Sequence, residues 1–345
     1  MEPRSRKPQL PPVGRFIYTL SMPSTPLATV TPDSEVVLSR DGQRAIVSPW
    51  GAALRRYFFV ESGGAESDIV WGYSGGSNKK GGQGDVLIPF PGRIKEGRYT
   101  FDGRSYQLER NDKEGPNAIH GFVRNLPWTV RERRSDRVEL EVAIHAAEYA
   151  ARGYPFSLNV RVTYELQRSG LFCGFAVRNA GSSLAPVGAG FHPYFTVGTA
   201  AIDEAEVRIP AGGYLEFDDR LAPTGRILSA AGSEWDYRRF APIGARRFNH
   251  CYMELERGPD GFSTASLRNP DNGCTIDVVM DRSFSALVVY TGDAIAEAPR
   301  RALAIEPMTC ASDGFNHPDW GLKRLAPDDS FAGGFTVRVR STDGD

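Results

Sequence analysis

Leu158-Asn159-Val160-Arg161-Val162-Thr163-Tyr164-Glu165-Leu166 alternates apolar and polar residues without a break. Period two marks a strand, because successive side chains leave an extended backbone on opposite faces. One face of this strand meets a core, and the other meets water or a polar site. Upstream, Val138, Leu140, Val142 and Ile144 repeat the pattern with Glu139 and Glu141 between them, and Phe335, Val337 and Val339 repeat it near the end. Asp41-Gly42, Asp102-Gly103, Ser169-Gly170, Asp260-Gly261 and Asn272-Gly273 separate strand-like runs. Such dipeptides supply the positive φ that tight hairpins need. Helical periodicity is confined to one or two turns over Ala147 to Arg152. Many short antiparallel strands joined by hairpins predict an all-β fold of stacked sheets.

A chain of 345 residues accommodates one large β domain or two average domains. No linker or compositional break appears after residue 35, so the expectation is one domain over residues 34–345. Residues 1–33 read as a flexible leader. They are crowded with proline and begin with Arg4, Arg6 and Lys7, but no apolar run of signal-peptide length follows. A formal net charge of -1 offers no basic surplus for a nucleic-acid backbone. No run of about eighteen apolar residues predicts a membrane span. Cys173, Cys251, Cys274 and Cys310 form no C-x-x-C pair and read as free thiols in a reducing compartment, hence a cytoplasmic protein.

Four segments carry chemistry. In Ile88-Pro89-Phe90-Pro91-Gly92-Arg93-Ile94, two prolines and a glycine make an irregular backbone from which Arg93 projects. A guanidinium fork suits sugar hydroxyls or carboxylates, although a surface arginine beside a structural turn reads the same way. In Asn117-Ala118-Ile119-His120-Gly121-Phe122, Gly121 allows a ligand or another backbone to approach. In Phe191-His192-Pro193-Tyr194-Phe195, His192 and Tyr194 share a strand face, and Pro193 between them marks an edge or a strand end. In Leu303-Ala304-Ile305-Glu306-Pro307-Met308, Glu306 ends an apolar strand, and such surroundings raise a carboxyl pKa toward that of a general base. No pair of the five histidines has the i, i+4 spacing of a helical zinc site, and neither H-E-x-x-H nor G-x-S-x-G occurs. No metal is expected.

Together, and in this order, the four segments resemble the aldose 1-epimerase (galactose mutarotase) family. Tyr214-Leu-Glu-Phe-Asp-Asp-Arg-Leu-Ala-Pro-Thr-Gly225 is also similar to the family's segment between the second histidine and the glutamate, and the likeness runs from about Glu35 to Val339. The resemblance implies a large twisted antiparallel β-sandwich (the galactose mutarotase-like supersandwich) with an open cleft on one face. It implies interconversion of the α and β anomers of a free aldose without a cofactor. The partner is a small sugar, and the protein is a monomer or homodimer. Glu306 matches the family's catalytic base and His192 its catalytic acid, expected on opposite sides of the sugar ring. Arg93 and His120 match residues that hold the sugar's hydroxyls and ring, and Tyr194, on the strand face of His192, is expected to touch the sugar as well. Asn249 stands where members active on galactose or glucose usually carry an aspartate. An amide both donates and accepts, whereas a carboxylate only accepts, so the sugar preference is expected to differ. His120-Gly-Phe-Val-Arg124-Asn125 also resembles the hexose-6-phosphate 1-epimerases, in which case Arg124 would meet a phosphate. A third reading is a sugar-binding protein that has lost turnover.

Overall fold

The computed structural model describes residues 30–340. Most of the leader therefore lies outside the described residues. Two large antiparallel sheets make the body. The smaller, of nine strands among the described residues, is built around the hairpin of Leu158–Gln167 and Gly170–Asn179. These two strands pair without interruption from Leu158 opposite Asn179 to Gln167 opposite Gly170. Ser330–Arg340 continues the ladder, with Leu171 opposite Val337. The alternation read from the sequence sets the orientation. Leu158, Val160, Val162, Tyr164 and Leu166 are each 0% exposed. Burying side chains of this size stabilises by about 1.5–3 kcal/mol each. Val142 departs from its own run and is only half-buried.

The larger sheet has twelve strands among the described residues, and its central members are short. Its path passes from Glu66–Val70 through Tyr194–Phe195, Leu303–Met308, Ala286–Tyr290 and Asn249–Leu255. The core lies between the sheets. Phe191 of the larger sheet meets Phe175 and Phe335 of the smaller at ring separations of 6.4 and 5.2 Å. The Tyr164 hydroxyl crosses the gap to donate to the Ala52 carbonyl at 2.7 Å.

Turn chemistry follows the dipeptides to different degrees. At Asp41-Gly42 and Asp102-Gly103 both residues take positive φ, the backbone of a two-residue hairpin. At Asp260-Gly261 and Asn272-Gly273 only the glycine does, within longer connections. The helical expectation reduces to one short turn, Ala146–Tyr149, followed by a 3-10 turn, Ala150–Arg152. All four cysteines are free, and no described helix is long and apolar enough to cross a membrane.

Candidate active site

Leu303–Met308 runs through the middle of the larger sheet and carries Glu306. The strand does not end at Glu306, as the sequence suggests, but continues through Pro307. Its neighbour on one side is broken into Gly190–Phe191 and Tyr194–Phe195. The amides of Ile305 and Thr309 point to that side, to the carbonyls of Pro193 and Ala189. Pro307 falls between them, so its missing donor is lost beside the gap and the ladder to Ala286–Tyr290 is spared.

Register brings the acid and base candidates together. Gly190 pairs with Met308 and Tyr194 with Ala304, which sets His192 opposite Glu306. On the other side Val288 pairs with Glu306, and Cys251 with Val288. His192, Glu306, Val288 and Cys251 thus form one row across the sheet, on the face opposite to that of Phe191. This row floors a cleft of about 610 Å³ whose walls include Arg93, His120, Arg124, Asn249 and Tyr290. His192 Nε2 lies 3.4 Å from Glu306 Oε1, and both side chains are almost fully buried. The two groups are neighbours on one wall. No sugar ring fits between them, which corrects the expectation of opposite sides.

Burial dominates their protonation. It pushes the Glu306 carboxyl well above its ordinary range, Arg93 opposing and Asp85 adding to the effect. It pulls His192 down to about 3, aided by the positive charges of Arg124 and Lys79. Burial also pulls His120 well below its ordinary value, with His192, Arg124 and Arg93 adding. Burial thus favours the neutral form of each partner in the Glu306–His192 pair.

The walls are set by loops. His120 takes φ 65 and Gly121 φ 63. A Cβ on Gly121 would stand 2.2 Å from the Ile88 carbonyl oxygen, so the glycine admits another backbone stretch, not a ligand. His120 meets His192 edge to face at a centroid separation of 5.4 Å. Arg93 is clamped by two carboxylates: Nε donates to Asp112 at 2.8 Å and one terminal nitrogen to Glu114 at 2.7 Å. Asp313 holds the backbone beneath it, donating its amide to the Arg93 carbonyl and accepting from the Lys95 amide. Asn249 lines the far wall, where it pairs with Tyr290. Tyr194 stacks on His192 at 5.0 Å but lines no part of the cleft. It is fully buried beside Ile295 and Ala302, and its hydroxyl is spent on the Gly81 carbonyl. This corrects its expected contact with sugar; Tyr194 supports the imidazole from behind.

Sequence reasoning missed Asp85, Lys79, Asp112, Glu114 and Tyr290. Asp85 is 1% exposed and accepts from Lys79 at 2.6 Å and from Arg124 at 3.3 Å. The run Gly81-Gly82-Gln83-Gly84-Asp85 offered a signal, because a Cβ at Gly82 would sit 3.0 Å from the His192 ring. One nitrogen from each of His120 and His192 and one oxygen of Glu306 lie within 4.8 Å of one another, a donor set able to hold a metal ion.

Residues 34–338 match the family model described as aldose 1-epimerase. The chain belongs to this family. It is 31% identical to the galactose mutarotase of Mus musculus over 260 residues, 71% of this chain and 73% of that protein. It is 30% identical to the uncharacterized protein YihR of Escherichia coli (strain K12) over 234 residues, 68% of this chain and 71% of that one. Among solved structures, a GalM/aldose epimerase homologue from C. elegans superposes with a TM-score of 0.79 at 20% identity, covering 89% of this chain and 99% of that one. The family is one of isomerases of the epimerase type, and the chain has a galactose mutarotase-like fold.

Proposed function

We propose that this chain interconverts the α and β anomers of a free aldose, with Glu306 as base and His192 as acid. The observation that carries the reading is the buried pair side by side on the cleft floor, 3.4 Å apart. The anomeric hydroxyl and the ring oxygen are bonded to the same carbon, so adjacent groups reach both. Glu306 takes the proton of the anomeric hydroxyl while His192 gives one to the ring oxygen. The bond between the anomeric carbon and the ring oxygen breaks, leaving an aldehyde and a chain hydroxyl. Rotation about the next carbon–carbon bond presents the other face of the aldehyde. Closure returns both protons, so the pair ends as it began.

The step starts with the proton on His192 and Glu306 ionised, whereas burial favours the neutral form of both. Arg93, which favours the ionised carboxylate, and the hydroxyls of a bound sugar supply the polarity that moves it. Arg93, His120 and Asn249 orient the ring in this reading.

A second reading, a hexose 6-phosphate as substrate, is favoured by one observation. Lys79 and Arg124 share the single carboxylate of Asp85 beside His192, which leaves one positive charge over. Carbon 6 of a pyranose hangs next to the ring oxygen that His192 would protonate. Polarimetry of freshly dissolved α-glucose, α-galactose and α-glucose 6-phosphate, with wild type and Glu306→Gln, separates the readings. Acceleration by wild type that disappears in the variant supports the mechanism, and the fastest sugar names the class. Binding without acceleration of any of them overturns turnover in favour of a sugar-binding protein.

A further inference from the structure

Behind Arg93 lies a second cavity. An open groove of about 660 Å³ runs between the hairpin of Arg98–Phe101 and Arg104–Gln107 and the loop that carries Asp313 and Asn316. Two short stretches of chain form the wall between groove and cleft. Arg93 lines the cleft and Lys95 the groove; Ser312 lines the cleft and Asp313 the groove. None of the groove's side chains lines the cleft, so the proposed chemistry uses none of them.

The lining is selective. Its charges, Lys95 and Arg98 against Glu96 and Asp313, balance two against two. The groove therefore has no net field for an anion or a cation. The other six side chains are two tyrosines, two hydroxyls and two amides, with no aliphatic group among them. Tyr99 and Tyr106 stack at 4.9 Å with 17° between their planes, which makes a rigid aromatic ground. Asn316 donates to the Arg98 carbonyl and to Asp313, both at 2.8 Å. Gln107 donates to the carbonyls of Glu96 and Leu108 at 3.0 and 2.9 Å. Both amides are thus fixed before anything binds.

Asp313 is the group left wanting. It is 3% exposed, and burial raises its carboxyl against the hydrogen bonds that oppose the rise. Oδ1 accepts from the Lys95 amide at 3.0 Å and from Asn316. Among the described residues Oδ2 meets only His317 Nε2, at 3.6 Å, which is too long for a hydrogen bond. A buried carboxylate oxygen is ordinarily spent on a donor.

We propose that this groove is a second binding site of the protein and takes a neutral sugar unit. Sugar hydroxyls both donate and accept, which suits fixed amides, hydroxyls and the open oxygen of Asp313. The C–H face of a sugar ring packs on aromatic carbon, which Tyr106 supplies. A polar groove already held in shape loses little freedom on binding.

The test is fluorine NMR of protein labelled with fluorotyrosine, titrated with methyl β-glucoside, methyl β-galactoside and glycerol. Tyr106→Phe and Tyr290→Phe assign the resonances of the groove and of the cleft. The Tyr106 resonance is expected to shift along a saturable curve with at least one glycoside and not with glycerol. Ser105→Trp, at an exposed position, fills the groove. It should weaken that response at least about tenfold while the melting temperature and the response of Tyr290 stay as they were. Thr100→Trp, exposed across the same hairpin, does this service if the first variant folds poorly. A Tyr106 resonance that stays still, drifts without saturating or moves equally with glycerol overturns the proposal, as does a response kept in both tryptophan variants. Methyl glycosides cannot open their rings, so the readout needs no turnover. A groove response in a protein that accelerates no free sugar sinks the epimerase reading alone, and turnover without a groove response sinks the second site alone.

Discussion

The two sheets solve opposite problems. The smaller one is regular: Leu158–Gln167 and Gly170–Asn179 pair over their full length, and one face of the first strand is wholly buried. The larger one is broken at its centre, where two dipeptide strands flank the His192-Pro193 gap and Pro307 sits beside it. On the covered face of Leu158–Gln167 the one polar group is the Tyr164 hydroxyl, spent on the Ala52 carbonyl. The interruption frees backbone and admits a histidine, a carboxylate and a cleft. Stability and chemistry are thus carried by different sheets, and substitutions in each should separate the two.

The largest expected effect falls on the broken sheet. Glu306→Gln should lower kcat by about a hundredfold to ten-thousandfold under the proposed chemistry, measured by polarimetry. The amide keeps the volume of a carboxyl that burial already favours as neutral, so the melting curve should scarcely move. A collapse of stability with full activity in the folded fraction would break the division. Phe175→Ala, between the sheets, should cost about 3–5 kcal/mol in urea unfolding while kcat per folded molecule stays unchanged.

Arg93→Lys removes the fork that spans Asp112 and Glu114. It should raise KM about tenfold, more than it lowers kcat, in initial-rate assays. The pH profile sharpens the picture further. Burial holds His192 down to about 3, so a loss of activity through its titration is expected only as pH falls toward that value. Activity at about pH 5 should therefore remain within about twofold of that at neutrality, where an ordinary histidine near 6.5 would have titrated.

The smallest effect belongs to His250, stacked on Trp235 and held down to about 4 by burial. Its folded value lies below its unfolded one, so the unfolded chain binds more protons between the two. The stability it contributes is full above about pH 6.5 and is lost as pH falls toward 4. Wild type should lose at most about 1 kcal/mol from this group between about pH 6.5 and 5.5, a slope absent in His250→Phe in urea titrations at the two pH values.

Legibility follows the same division. Alternation in Leu158–Leu166 is local, and so were its strand, its buried face and the hairpin after it. Glu306 stood out as a carboxylate among apolar neighbours. The meaning of Asp85 depends on Lys79 and on Arg124, which arrives from a distant loop, so no spacing rule exposes it. Tyr194 was assigned to the correct face, but a face does not say what covers it, and here Ile295 and Gly81 do. The adjacency of His192 and Glu306 is a fact of strand register between remote segments, invisible to a local reading. Their expected separation across the ring came from the reaction and had no basis in the chain.

That register has a consequence for how such proteins diverge. His192 and Glu306 project from antiparallel neighbours, so their spacing is set by strand register and not by the length of any loop. The groups around them, Arg93 with its carboxylate clamp, Lys79 and Arg124 with Asp85, and Glu297 paired with Lys80, sit largely on connections whose lengths drift freely. A lineage can redraw the mouth of the cleft residue by residue while the distance between its two proton carriers stays constant.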